Sequence, residues 1–153
     1  MKQWLTLYKD KFNKYIVDKL LGSPHGLYQL YMFIANDYHT SNVELLTMPR
    51  NAFDFTFLIN DLENNIAYIG IHYDDPDHEF FHNDEEYFNE TNSCKITHDN
   101  FNEFSKQWIQ LKKDLPPFAL IYRDNFDWIS CKSFDTQQAM EDFVKNYKDE
   151  LVH

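Results

Sequence analysis

The stretch AFDFTFLI-NDLENN-IAYIGIHY, Ala52 to Tyr73, decides the fold. In its first part Phe53, Phe55, Phe57 and Ile59 alternate with Asp54, Thr56 and Leu58. A period of two sends successive side chains to opposite faces, so one face of a strand meets a core. Asn60 to Asn65 has turn composition. Ile66 to Tyr73 is rich in β-branched and aromatic residues and reads as the return strand of an antiparallel hairpin. Such a hairpin needs no crossover helix, so helices elsewhere must pack onto the sheet: an α+β arrangement.

Upstream, Lys2 to Leu21 reads as a helix. Trp4, Leu5, Tyr8, Phe12, Tyr15, Ile16 and Leu20 recur at three- and four-residue steps, and Gly22-Ser23-Pro24 supplies the stop. Leu27 to Ala35 is short and aromatic-rich, which favours a buried strand and leaves a helical turn open. Val43 to Met48 is a short element ended by Pro49.

Downstream, Thr97 to Asp114 reads as a helix with a stripe of Phe101, Phe104, Trp108, Ile109 and Leu111, and Lys112-Lys113 at its negative end. Phe118 to Tyr122 and Phe126 to Phe134 pair around Arg123-Asp124-Asn125. Asp135 then caps a last helix with Gln138 three residues on, burying Ala139, Phe143, Val144 and Tyr147. No internal repeat is apparent. The 153 residues predict a single domain, 1–153, with an antiparallel sheet of about five strands and three main helices packed on it.

Between the hairpin and the next helix runs His72 to Glu90, HYDDPDHEFFHNDEEYFNE. From Asn51 to Cys94 there is no Lys or Arg, and eleven acids: Asp54, Asp61, Glu63, Asp74, Asp75, Asp77, Glu79, Asp84, Glu85, Glu86 and Glu90. The other 14 acids equal the 14 basic residues, so the net charge of −11 sits in one contiguous window. Asp75-Pro76 suits a helix start running to about Phe88; a hairpin through His82-Asn83-Asp84 is the alternative.

This charge argues against direct nucleic-acid binding, which needs clustered cations, and equally against anionic membranes. No apolar run nears the roughly 20 residues of a membrane span. The start, MKQWLTLYKDKF, lacks a signal peptide's apolar core, so a cytoplasmic protein is expected. Cys94 and Cys131 read as two isolated thiols. With three glycines and no phosphate-loop or nucleophile motif, no catalytic residue, metal or cofactor is expected.

One short motif runs against that expectation. His78-Glu79-Phe80-Phe81-His82 is an H-E-x-x-H, and on a helix its two imidazoles could share one zinc. It resembles a zinc metallopeptidase; that resemblance would make His78, His82 and Glu103 ligands and Glu79 the base. The flanking Asp77, Asn83, Asp84, Glu85 and Glu86 demand solvent, and so negative a field opposes a developing oxyanion. Asp74, Asp75, Asp77 and Glu79 offer oxygens for calcium, without the glycine or spacing of a calcium loop.

Carboxylates interleaved with aromatics instead suit a protein interface: rings at its centre, charges at its rim. The expected partner-binding residues are Tyr73, Asp74, Asp75, Asp77, Glu79, Asp84, Glu85, Glu86, Tyr87 and Phe88. In size, charge and this acidic–aromatic window the chain resembles bacterial immunity proteins, of the contact-dependent growth inhibition (CdiI) and barstar-like kinds. The resemblance implies a non-enzymatic inhibitor of a basic toxin domain, a nuclease, with Asp74, Asp75, Asp77, Asp84, Glu85 and Glu86 standing where substrate phosphates would lie.

Overall fold

A computed structural model describes residues 1–21, 26–38, 43–71 and 93–148. In chain order the elements are β1 (Gln3–Lys9), β2 (Tyr15–Leu21), α1 (Leu27–Met32), β3 (Arg50–Ala52), β4 (Thr56–Asp61), β5 (Ile66–Ile71), β6 (Cys94–Thr97), α2 (His98–Asp114), β7 (Phe118–Arg123), β8 (Ile129–Phe134) and α3 (Gln137–Lys145). The fold is α+β. The chain divides into two compact units, Met1–Pro24 with Asn100–His153, and His25–Asp99. In place of one sheet of about five strands, each unit has an antiparallel four-stranded sheet, ordered β2-β1-β7-β8 and β3-β4-β5-β6.

In the first unit the expected helix over Lys2 to Leu21 is instead the β1–β2 hairpin. Trp4, Thr6, Tyr8, Tyr15, Ile16 and Val17 have high strand propensity. Both faces of the sheet are covered, so Leu5, Thr6 and Leu7 are all buried and the alternation that marks a strand is lost. On the face of Leu5 and Leu7, Trp108 of α2 meets Tyr15 edge-on at 6.0 Å. On the opposite face Phe143 of α3 packs against Tyr122 at 5.7 Å and Phe134 at 5.5 Å. The α3 cap is Thr136, not Asp135: its hydroxyl accepts from Ala139 N at 3.1 Å. Met140 is the buried residue of that helix, and Ala139 is exposed.

The two hairpins of this sheet use one turn twice. Tyr8-Lys9-Asp10-Lys11-Phe12-Asn13 matches Tyr122-Arg123-Asp124-Asn125-Phe126-Asp127. Asp10 Oδ1 accepts from Phe12 N at 2.8 Å and Lys14 N at 2.9 Å; Asp124 Oδ1 accepts from Phe126 N at 2.8 Å and Trp128 N at 3.0 Å. Asp10 N donates to Lys14 O, and Asp124 N to Trp128 O. Asn13 and Asp127 are both left-handed, at φ 61° and 68°, a conformation that Asn and Asp tolerate. The strand registers agree as well: Tyr8 pairs with Ile16 as Tyr122 pairs with Ser130, and Leu7 with Val17 as Ile121 with Cys131. Thr6 then pairs with Lys19, leaving Asp18 bulged, whereas Leu120 pairs with Lys132 with nothing inserted. Thr6 also lies opposite Leu120 across the central β1–β7 pair, so a pseudo-two-fold axis passes through that pair. This repeat is a finding of the structure. Only the turn residues match closely, and the surrounding strands have diverged.

The outer edge of β8 is closed by α2. Asn100 accepts from Ile129 N at 2.8 Å and donates to Ile129 O at 2.7 Å, and Gln107 accepts from Cys131 N at 3.0 Å. Side-chain amides thus complete backbone bonds that an edge strand would expose.

In the second unit Leu27 to Ala35 is helical: α1 continues into a π-helical turn, Phe33–Asp37. Its buried Leu27, Leu30, Phe33 and Ile34 follow a helical step. The strand expected over Ala52 to Ile59 is divided between β3 and β4 by a tight turn, in which Phe53 N donates to Thr56 O at 2.8 Å. Asp37 fixes that turn, accepting from Thr56 Oγ1 at 2.6 Å and from Phe55 N at 3.2 Å. The β4–β5 hairpin forms as expected, with Phe57 opposite Gly70. A Cβ on Gly70 would lie 2.1 Å from Phe57 Cζ, so only glycine admits that ring. The short β6, not foreseen from the sequence, pairs with β5.

Candidate functional site

The charge of the chain divides by unit. His25–Asp99 contains 14 acidic residues against Arg50 and Lys95, a net of −12; the other unit contains 11 acidic and 12 basic residues, a net of +1. Arg50, Ile59, Tyr68 and Lys95 form one row across the sheet, so both cations of the acidic unit share a single register position.

Within that unit β5 and β6 are hydrogen-bonded neighbours, with Ile69 opposite Cys94. The chain between them therefore leaves and returns at one end of the sheet. The expected binding residues Tyr73, Asp74, Asp75, Asp77, Glu79, Asp84, Glu85, Glu86, Tyr87 and Phe88 lie outside the described residues, as do His78 and His82. What is described is their base. Thr56 pairs with Ile71 at this end, which also holds the turn of Asp54 and Phe55; Asp54 is exposed and Phe55 is 51% exposed. Asp37, by accepting from Phe55 N and Thr56 Oγ1, ties this rim to the end of the π-helical turn.

Two acids of the window lie elsewhere. Asp61 and Glu63 belong to the β4–β5 turn, at the opposite end of the sheet. Asn64 donates to Asp61 at 2.8 Å, and this bond holds the Asp61 carboxyl below its ordinary range. Near this turn Asn60 is buried, and its Nδ2 donates to Leu45 O and Met48 O, both at 2.7 Å. With both amide hydrogens used, Asn60 Oδ1 is an acceptor, and His98 Nε2 at 3.0 Å donates to it. Burial pushes the His98 pKa down, against the opposing pull of Asp99, the Ile66 backbone and Asp61.

The first unit has a cleft of about 170 Å³ between β1–β2 and α3. Trp4, Met140 and Val144 give it apolar walls, and Asp18, Lys19, Glu141 and Lys145 stand around it. Lys19 and Glu141 pair across it at 3.6 Å. Sequence reading missed this site because nothing local announces a bulge. Its one signal was the aligned turns, which expose Asp18 as an extra residue. Burial raises the Cys131 thiol to about 12, which leaves it un-ionised near neutrality. Neither Cys94 nor Cys131 is in a disulfide.

Glu103, the third ligand of a metallopeptidase reading, is exposed on α2. Among the described residues no cluster of three metal-ligating side chains occurs, and no helix is long and apolar enough to cross a membrane. Compared with known proteins, the chain matches no family model, no curated protein and no solved structure.

Proposed function

We propose that this chain is an immunity-type inhibitor: a non-enzymatic cytoplasmic protein that binds a basic toxin domain, a nuclease, across its active site. The observation that carries the reading is the division of charge, −12 on one compact unit and +1 on the other. Charge added for solubility has no reason to collect on one unit. Charge that must complement a cationic cleft does, because attraction falls off within about 8 Å at physiological salt. The strands that flank the acidic stretch, β5 and β6, are paired, and the same end of the sheet carries the exposed Phe55, whose backbone N–H donates to Asp37. Exposed aromatics among charged residues are the composition of a protein interface.

The reading predicts a basic toxin domain encoded beside this chain, and the test is stopped-flow association with that domain, together with rescue of growth on co-expression. Replacing Asp74, Asp75, Asp77, Asp84, Glu85 and Glu86 by their amides is expected to slow association by about 10²-fold at low salt and to flatten its salt dependence. An unchanged on-rate, or no rescue by the wild-type chain, overturns the reading.

A further inference from the structure

We propose that the cleft between the bulged β1–β2 ribbon and α3 is a binding site for an organic ammonium ion bearing one phenyl-sized apolar group, with Asp18 as its counter-charge. The internal repeat provides the control. The two hairpins agree in turn, register and strand pairing, and the inserted residue that breaks the agreement is Asp18. That residue lines the cleft, next to Lys19, which lines it too. Successive residues of a regular strand face opposite ways, so a strand without the bulge could not direct both to one cleft. Bulges recur beside binding sites because they re-aim a side chain in this way.

Size and charge select the ligand. A cavity of about 150 Å³ accommodates a benzene ring, and this cleft measures about 170 Å³. Its walls are Trp4, Met140 and Val144. Of the carboxylates around it, Glu141 is occupied by Lys19 at 3.6 Å and by Gln137 at 3.2 Å. Asp18 has no hydrogen-bond or ion-pair partner among the described residues, so of the two carboxylates it is the one available to a ligand cation, as Lys145 is the lysine of the lining without such a partner. Trp4, which lines the same cleft, also offers an indole, and an indole face attracts cations.

The experiment titrates the ¹⁵N-labelled full chain with phenethylamine, 3-phenylpropionate and benzyl alcohol, reading the Trp4 indole N–H resonance. Phenethylamine is expected to shift it saturably, with the anion and the alcohol several-fold weaker. Asp18→Asn should weaken phenethylamine two- to five-fold, the worth of one solvent-exposed ion pair, and leave benzyl alcohol unchanged. Deleting Asp18 restores the register of the other hairpin; it should preserve the fold, seen in the remaining amide resonances, and abolish the preference for the amine. Equal binding of all three probes, an unaltered amine affinity in Asp18→Asn, or no saturable shift overturns the proposal. Equal binding would mean an adventitious additive in a packing gap only.

Discussion

His98 opens α2 with its ring half-buried and its Nε2 donating to Asn60. Burial is the largest influence on it and favours the neutral imidazole. The unfolded chain therefore binds a proton more readily than the folded one, and stability rises with pH where they differ. The contribution is complete above the ordinary histidine value near 6.5 and is lost as pH falls through the lower folded value. Asp61 and Asp99 offset part of this pull, so the direction is set by desolvation. His98→Gln preserves an N–H for Asn60 and has nothing to titrate. Urea unfolding at pH 7 and pH 5 should show a smaller acid loss in the variant than in the wild type, and equal losses would refute the assignment.

Among the elements, β8 depends most on a neighbour. Asn100 is 1% exposed and satisfies both the N–H and the C=O of Ile129. Asn100→Ala would leave two buried backbone groups without partners, at about 1–3 kcal/mol each before water enters. A loss of roughly 2–4 kcal/mol in chemical denaturation is expected from this one side chain; a loss below 1 kcal/mol would mean that the edge is not closed this way. At the same scale the sequence was legible where one face is wet and illegible where both are dry. Of the predicted α2 stripe, Phe101, Phe104, Trp108 and Leu111 are buried, and Ile109 is half-buried. The β4–β5 and β7–β8 hairpins also declared themselves by their turns. β1 did not, since Leu5, Thr6 and Leu7 are buried in succession, while Trp4, Leu5, Tyr8, Phe12 and Tyr15 recur at helical steps. The Phe53–Phe57 alternation concealed a turn because its stop signal is a carboxylate distant in sequence, Asp37.

For the whole molecule the candidate site was legible as charge and not as geometry. The acidic window was evident from spacing alone, and the compact units add that its charge is matched by no comparable number of cations within its own unit. Asp61 and Glu63 show the limit: contiguous in the chain, they project from the far end of the sheet. A unit with a net of −12 repels itself, and salt screens that repulsion. Raising NaCl from 10 to 300 mM should increase the melting temperature, whereas a protein held by surface ion pairs would soften; a decrease would indicate that the acids are neutralised internally.

The repeated hairpin has a consequence for synthesis. β1 needs β7 as its neighbour across the Thr6–Leu120 pair, and the whole of His25–Asp99 is translated in between. At about 5–20 residues per second the first hairpin waits roughly 5–20 s for its counterpart. During that interval the hairpin that fits its open side best is the same hairpin on a nascent chain from a neighbouring ribosome.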